Sequence, residues 1–259
     1  LQANITGTQN VAMGAYALYV NTVSQNTAVG VEALSTSTTG VNNVAVGFEA
    51  ARNSTTAANT TAIGFCALRT NTTGTSNTAL GQSSLKANTT ANENVAIGQN
   101  AMAANTTGAS NVAVGQAALD ANTTASNNTA VGKSALGANT TGTGNVAIGE
   151  SAASSQTDAG NNVAVGRDSL LCNISGGNNT AVGDLALEMN TANDNTAMGN
   201  QALEGNTTGS CNVGFGFCAG HLMTTGTGNT AVGAKSLNSN TTASNNLYVK
   251  TQQLVTTQH

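Results

Sequence analysis

The sequence predicts an all-β chain, a parallel β-roll or β-solenoid of about 14 coils of 17 residues, and three observations carry the prediction. First, a pentapeptide, Asn-(Thr/Val)-Ala-(Val/Ile/Leu/Met)-Gly, returns along nearly the whole chain. Its closing glycines are Gly14, Gly30, Gly47, Gly64, Gly81, Gly98, Gly115, Gly132, Gly149, Gly166, Gly183, Gly199, Gly216 and Gly233, giving thirteen intervals, eleven of 17 residues and two of 16. Self-similarity at a fixed period marks a stack of repeats, and the period overrides the length-based expectation of one or two globules for 259 residues. Second, the larger residues of the pentapeptide alternate with alanine, the period of a strand. Third, turn-forming Asn, Thr and Gly separate the apolar pieces, and proline is absent.

Gly98 to Gly115 shows the elements in order, with positions counted from the repeat glycine as zero. In Asn111-Val112-Ala113-Val114 the residues one and three before Gly115 share a face and Ala113 points the other way, which predicts a strand. The repeat glycine makes the first turn, because glycine adopts positive φ without steric cost. The piece after it, Ala118-Leu119 or Ala135-Leu136, is too short for a useful helix and reads as a second short strand. The second turn is Asn-Thr-Thr-Gly or Asn-Thr-Thr-Ala, at Asn71, Asn88, Asn105, Asn122, Asn139, Asn206 and Asn240. Asn tolerates left-handed geometry and bonds nearby backbone. Two strands and two turns per coil predict a flattened β-roll.

Coils stacked roughly 4.8 Å apart turn each column of identical residues into a ladder, and fourteen of them span roughly 65 Å. The Asn four residues before the glycine recurs from Asn10 to Asn229, with Thr60 the one substitute, and predicts an amide ladder along one edge. Each coil offers about three sizeable apolar side chains, too few for one thin chain to bury alone. The small residue three after the glycine (Ala17, Ala33, Ala50, Ala67, Ser84, Ala101, Ala118) and the usual Leu after it (Leu18, Leu34, Leu68, Leu85, Leu119) form a smooth stripe suited to packing several chains. A homo-oligomer with cyclic symmetry is the expectation. Residues 1–246 make the repeat domain. In 247–259, Leu247-Tyr248-Val249 and Gln252-Gln253-Leu254-Val255 read as strand, forming a cap or the lead-in to a further segment.

Low charge (7% of residues) with few aromatics (3%) suits a disordered tract as well, but a linker has no reason to keep β-branched residues in phase. The basic residues Arg52, Arg69, Lys86, Lys133, Arg167, Lys235 and Lys250 are scattered over different repeats, which argues against nucleic acid. No window is apolar enough for a membrane span, and Leu1-Gln2-Ala3-Asn4 lacks the character of a signal peptide. Leu1 falls in the slot of Leu18 and Leu34, so the chain is expected to be a piece of a longer protein. Cys66 and Cys218 share a slot nine repeats apart, Cys172 and Cys211 occupy others, and no pair has zinc-ligand spacing.

Asn-Val-Ala-Ile-Gly at Asn94 to Gly98 and Asn145 to Gly149, with Ala three residues on, resembles the head repeat of trimeric autotransporter adhesins. The resemblance covers nearly the whole chain and implies a left-handed parallel β-roll with three chains around a common axis, intertwined or side by side. The Asn-Thr-Thr-Gly turn lengthens the repeat to 17 residues, a form similar to repeats of phage tail-fibre proteins. The residues contain no chaperone, neck, stalk or anchor pattern, which leaves virion tail fibre and bacterial cell surface both open.

For catalysis the chain offers only His221 and His259, with no nucleophile or carboxylate at a recruiting distance in sequence. Glu32 and Glu49 share a column and make a conceivable carboxylate pair, but a solvated face is the plainer reading; Asp168 and Asp184 are one slot out of register. The Gly-Gly-x-Gly-x-Asp calcium motif is absent, and the Gly-x-Gly of Gly214 to Gly216 is a lone repeat variant. Asn-x-Thr sequons at Asn88, Asn105, Asn122 and Asn139 read first as turn formers and second as glycan acceptors. Ice binding needs flat Thr ranks on a strand face, whereas the Thr pairs read as turn. The repeat weakens most around Phe215, Phe217, His221 and Met223, where Gly220 replaces Leu, a candidate contact region. The expectation is a non-enzymatic extracellular fibre or adhesin without cofactor or metal, partnered by itself as a homotrimer and by a cell-surface glycan or protein receptor. The alternatives are a plain spacer or filament subunit and, behind it, an ice-binding or carbohydrate-active solenoid.

Overall fold

The computed structural model describes residues 6–250 and is an all-β parallel solenoid. Fifteen strands of three residues, from β1 (Val11–Met13) to β15 (Leu247–Val249), form one parallel sheet in strict sequence order. Every pairing is in phase: Val112, Ala113 and Val114 of β7 (Val112–Val114) face Thr129, Ala130 and Val131 of β8 (Thr129–Val131). In-phase stacking follows from the period, since a 17-residue coil returns the same backbone atoms to the same height. Val112 N donates to Asn128 O at 2.8 Å and Gly115 N to Ile97 O at 2.8 Å, so each coil bonds the coils above and below. Strand β15 continues the sheet into the stretch expected as a cap; Gln252 to Val255 and Leu1 to Asn4 lie outside the described residues.

The piece after the glycine is not a second strand. Ala118 and Leu119 are adjacent yet both buried, whereas a strand sends successive side chains to opposite faces. The backbone manages this with positive φ at Ala117 (54°) and Leu119 (51°), and the same two slots are left-handed in coil after coil, from Tyr16 and Leu18 to Lys235 and Leu237. A left-handed residue with a side chain costs roughly 1–2 kcal/mol. The two such residues in each coil therefore cost roughly 2–4 kcal/mol. Burying the leucine returns roughly 1.5–3 kcal/mol, and the buried alanine methyl beside it adds roughly 0.8 kcal/mol. Stacking supports the turn further, as Leu119 N donates to Ala135 O of the next coil at 3.0 Å.

That turn reverses the expected surface. The Ala/Leu stripe assigned to contacts between chains lies inside the coil, where Ala33, Leu34, Ala118 and Leu119 belong to one continuous core with the strand alanines Ala28 and Ala113. The strand residues one and three before the glycine point outward, among them Val11, Met13, Leu80 and Ile148, all exposed. A coil this narrow takes Ala and one Leu per turn inside and leaves the branched strand residues outside.

The amide ladder also lies in the interior, not along an edge. Asn111 N donates to Asn94 Oδ1 at 2.9 Å and Asn128 N to Asn111 Oδ1 at 2.9 Å, while Asn111 Nδ2 reaches Ala125 O of the next coil at 2.9 Å. A second buried ladder runs through the Asn-Thr-Thr turns, with Asn105 Nδ2 to Asn88 Oδ1 at 3.0 Å and Asn122 Nδ2 to Asn105 Oδ1 at 2.8 Å. Buried amides are tolerated because a neighbour's complement meets them at a fixed height; the exception is Asn139 Oδ1, left without a partner where Gln156 interrupts the second ladder.

Candidate ligand-binding edge

One corner of the coil carries the variable chemistry. Residues one to five after the repeat glycine include every Lys, Arg, Asp and Glu of the chain except Glu93, Asp158, Asp194 and Lys250. Tyr16, Tyr19, Phe48, Phe65 and Phe217 fall there too. The left-handed turn explains the grouping: residues three and four after the glycine go inward, so the first, second and fifth project along a shared edge.

At the N-terminal end of this edge, side chains from successive coils meet. Arg52 Nε lies 2.7 Å from Glu32 Oε2 and its Nη1 3.1 Å from Glu49 Oε1, and Arg69 Nε lies 2.6 Å from the other oxygen of Glu49. Glu32 and Glu49 are therefore held by guanidinium groups and do not form the carboxylate pair that their column suggested. The Cys66 thiol, 3.6 Å from Glu49 Oε2, is raised above its ordinary pKa by burial and then by that carboxylate. Phe48 and Phe65 stack across coils with ring centroids 5.4 Å apart and planes 11° apart. Tyr16 and Tyr19 meet edge to face at 5.4 Å.

Further along, Arg167 bridges Asp168 at 2.7 Å and Asp184 at 3.1 Å, and its pKa is raised chiefly by the hydrogen bond to Asp184. Glu188 is raised from its ordinary value by burial and then by Glu204; Asp120 rises by burial alone. Two open hollows lie on the edge. One of about 560 Å³ has Lys86 and Asp120 among its walls and alanines in its floor; one of about 230 Å³ lies beside Tyr16, Tyr19, Glu32 and Arg52.

The structure redistributes the residues singled out by sequence. The repeat glycines line one column with positive φ; at Gly115 (φ 140°) an added Cβ would run into the carbonyl oxygen of Gly132 in the next coil. Phe215 and Phe217 are 39% and 49% exposed, but Met223 is fully buried and does not belong to a contact surface. Gly220 and Met223 form a compensating pair: a Cβ on Gly220 would lie 2.9 Å from Met223 Sδ, so the methionine fills the space that leucine occupies in other coils. His221 Nδ1 sits 3.3 Å from Glu204 Oε2. The sequon residues Asn88, Asn105, Asn122 and Asn139 are buried in the second ladder and are not accessible acceptors in the folded chain. All four cysteines are free, and among the described residues no group of three or more His, Cys, Asp or Glu could hold a metal ion.

Sequence reasoning missed Tyr16, Tyr19 and Arg52 as neighbours. The signal was present, in that slots one, two and five after the glycine vary far more than the strand, the glycine and the Ala and Leu slots, but a two-strand coil gives no reason for those slots to converge. Together, fold and edge define the class: a parallel β-solenoid with a constant interior and one chemically variable corner. No protein-family model matches the chain, and no match was found among curated proteins.

Proposed function

We propose that the chain is a non-enzymatic segment of an extracellular attachment fibre, a homotrimer giving reach and multivalent contact, carried on a phage tail or a bacterial surface. The observation that carries this reading is the division of the surface into a uniform strand face and a variable edge. A plain spacer has no need for departures gathered on one corner, whereas weak sites repeated along a rigid rod gain avidity by geometry alone.

The strand face supports self-association. It is three residues wide and about 65 Å long, so it offers about 650 Å² per chain, near the ~800 Å² per partner of a standard interface. No charged side chain occurs one or three residues before any repeat glycine, and parallel copies present identical rows to each other. No helix among the described residues is long and apolar enough to cross a membrane. Light scattering at micromolar concentration tests the assembly: the reading expects three times the 25.4 kDa chain mass, and a single-chain mass overturns it.

A further inference from the structure

We propose that the hollow bounded by Tyr16, Tyr19, Glu32, Arg52 and Asn53 binds a neutral saccharide ring. Tyr16 is 60% exposed and Tyr19 36%, and their edge-to-face arrangement gives one aromatic floor and one wall. An exposed tyrosine offers a flat apolar face with a hydroxyl at its rim, which suits a ring with C–H groups on one side and hydroxyls around its edge. The opposite wall presents paired donors and acceptors, the guanidinium of Arg52 beside the carboxylate of Glu32 at 2.7 Å, with the Asn53 amide in the next slot.

Charge decides the ligand's class. Arg52 is shared between Glu32 and Glu49, so the wall has no spare cation to hold a phosphate or a carboxylate. A purely apolar ligand would shut water away from the guanidinium and amide N–H groups that the ion pairs leave unused. Volume points the same way: about 230 Å³ is below the ~300–1,000 Å³ of pockets that enclose drug-sized molecules and suits one ring of a longer chain. The inference deepens the attachment reading and depends on it for the biological role alone, since a monomer could bind sugar equally well.

Tyrosine fluorescence reads the site directly, because the chain has no tryptophan and two of its three tyrosines line the hollow. Wild type and Tyr248→Phe are titrated with neutral trisaccharides (maltotriose, cellotriose, mannotriose and triacetylchitotriose) and with sialyllactose to about 10 mM, the range of weak single-site binding. At least one neutral trisaccharide should give a saturable change in both proteins. Tyr16→Ala and Tyr19→Ala, surface changes whose folding is checked by circular dichroism, should each weaken it about tenfold or more, as followed by calorimetry. No saturation with any neutral trisaccharide, binding confined to sialyllactose, or unchanged affinity in both tyrosine variants overturns the assignment. Scattering on the same samples separates the two readings: a trimer that ignores sugars defeats this inference alone, and a monomer that binds them defeats the fibre alone.

Discussion

At the repeat glycine two backbones approach so closely that no side chain fits between them. Gly115 sits at φ 140°, a region essentially reserved for glycine, and the carbonyl of Gly132 occupies the place of a Cβ. Gly115→Ala should therefore destabilise its coil by at least ~1–3 kcal/mol. Faster hydrogen exchange at the amides of Val112 to Leu136, with distant coils unchanged, is the expected readout; unaltered exchange there would remove the backbone argument. Asp120 makes the opposite kind of residue-scale statement. Burial raises its pKa, so the folded chain holds the proton more tightly than the unfolded one, and stability falls as pH rises from the ordinary carboxylate value of ~3.9 through the raised value. Above that window the penalty is constant. Asp120→Asn should unfold at higher temperature than wild type at pH 7, and the difference should close as pH drops below ~3.9. A difference that persists in acid would assign the effect to packing.

At the scale of the element, the turn after the glycine is the coil's least obvious part. The strand, the glycine turn and the Asn-Thr-Thr turn are legible from residue type, because Val-Ala-Val alternates, glycine frees φ and Asn favours tight turns. The left-handed Leu119 is not legible, since a bulky residue with positive φ is accepted here for its burial, which only the closed coil provides. The interior Asn ladders escaped for a related reason: an amide reads as surface until in-phase stacking supplies its partner. The candidate edge was legible only as departures from the repeat, and those departures mixed two kinds. Phe217 and Tyr19 vary on the surface, while Gly220 and Met223 vary together inside. That coupling can be measured. Gly220→Leu alone forces a side chain against Leu203 and Met223, costing roughly 1–3 kcal/mol, and Met223→Asn alone empties core space at roughly 2–4 kcal/mol. The double variant restores the leucine and places an amide where it can meet Asn206, so the cycle should show ~1–3 kcal/mol of favourable coupling in denaturant unfolding. Additive losses would mean that the two departures are independent.

For the whole molecule, the same inward turn that makes a single coil viable decides which surface is left for company. Ala and Leu are consumed by the chain's own core, so the continuous apolar row left uncovered is the outer face of the sheet, while the variable corner, where Tyr16, Phe48, Phe65 and Phe217 stand exposed among the charges, remains free for other contacts. An assembled rod with its strand faces together and its variable edges outward would repeat the edge around the axis as well as along it, the geometry that multivalent attachment needs. Charging the strand face tests this arrangement. Val114 and Val165 lie on the outward column three coils apart, so glutamates there remain hydrated in an isolated chain and are too far apart to repel each other strongly. Inside an interface each would be an unpaired buried charge, costing roughly 3–5 kcal/mol. Val114→Glu with Val165→Glu should lower the scattering mass to one chain while far-ultraviolet circular dichroism stays that of the wild type. A trimer that survives both charges would place its interface elsewhere on the coil, and the variable corner would then be the first surface to re-examine as a contact between copies.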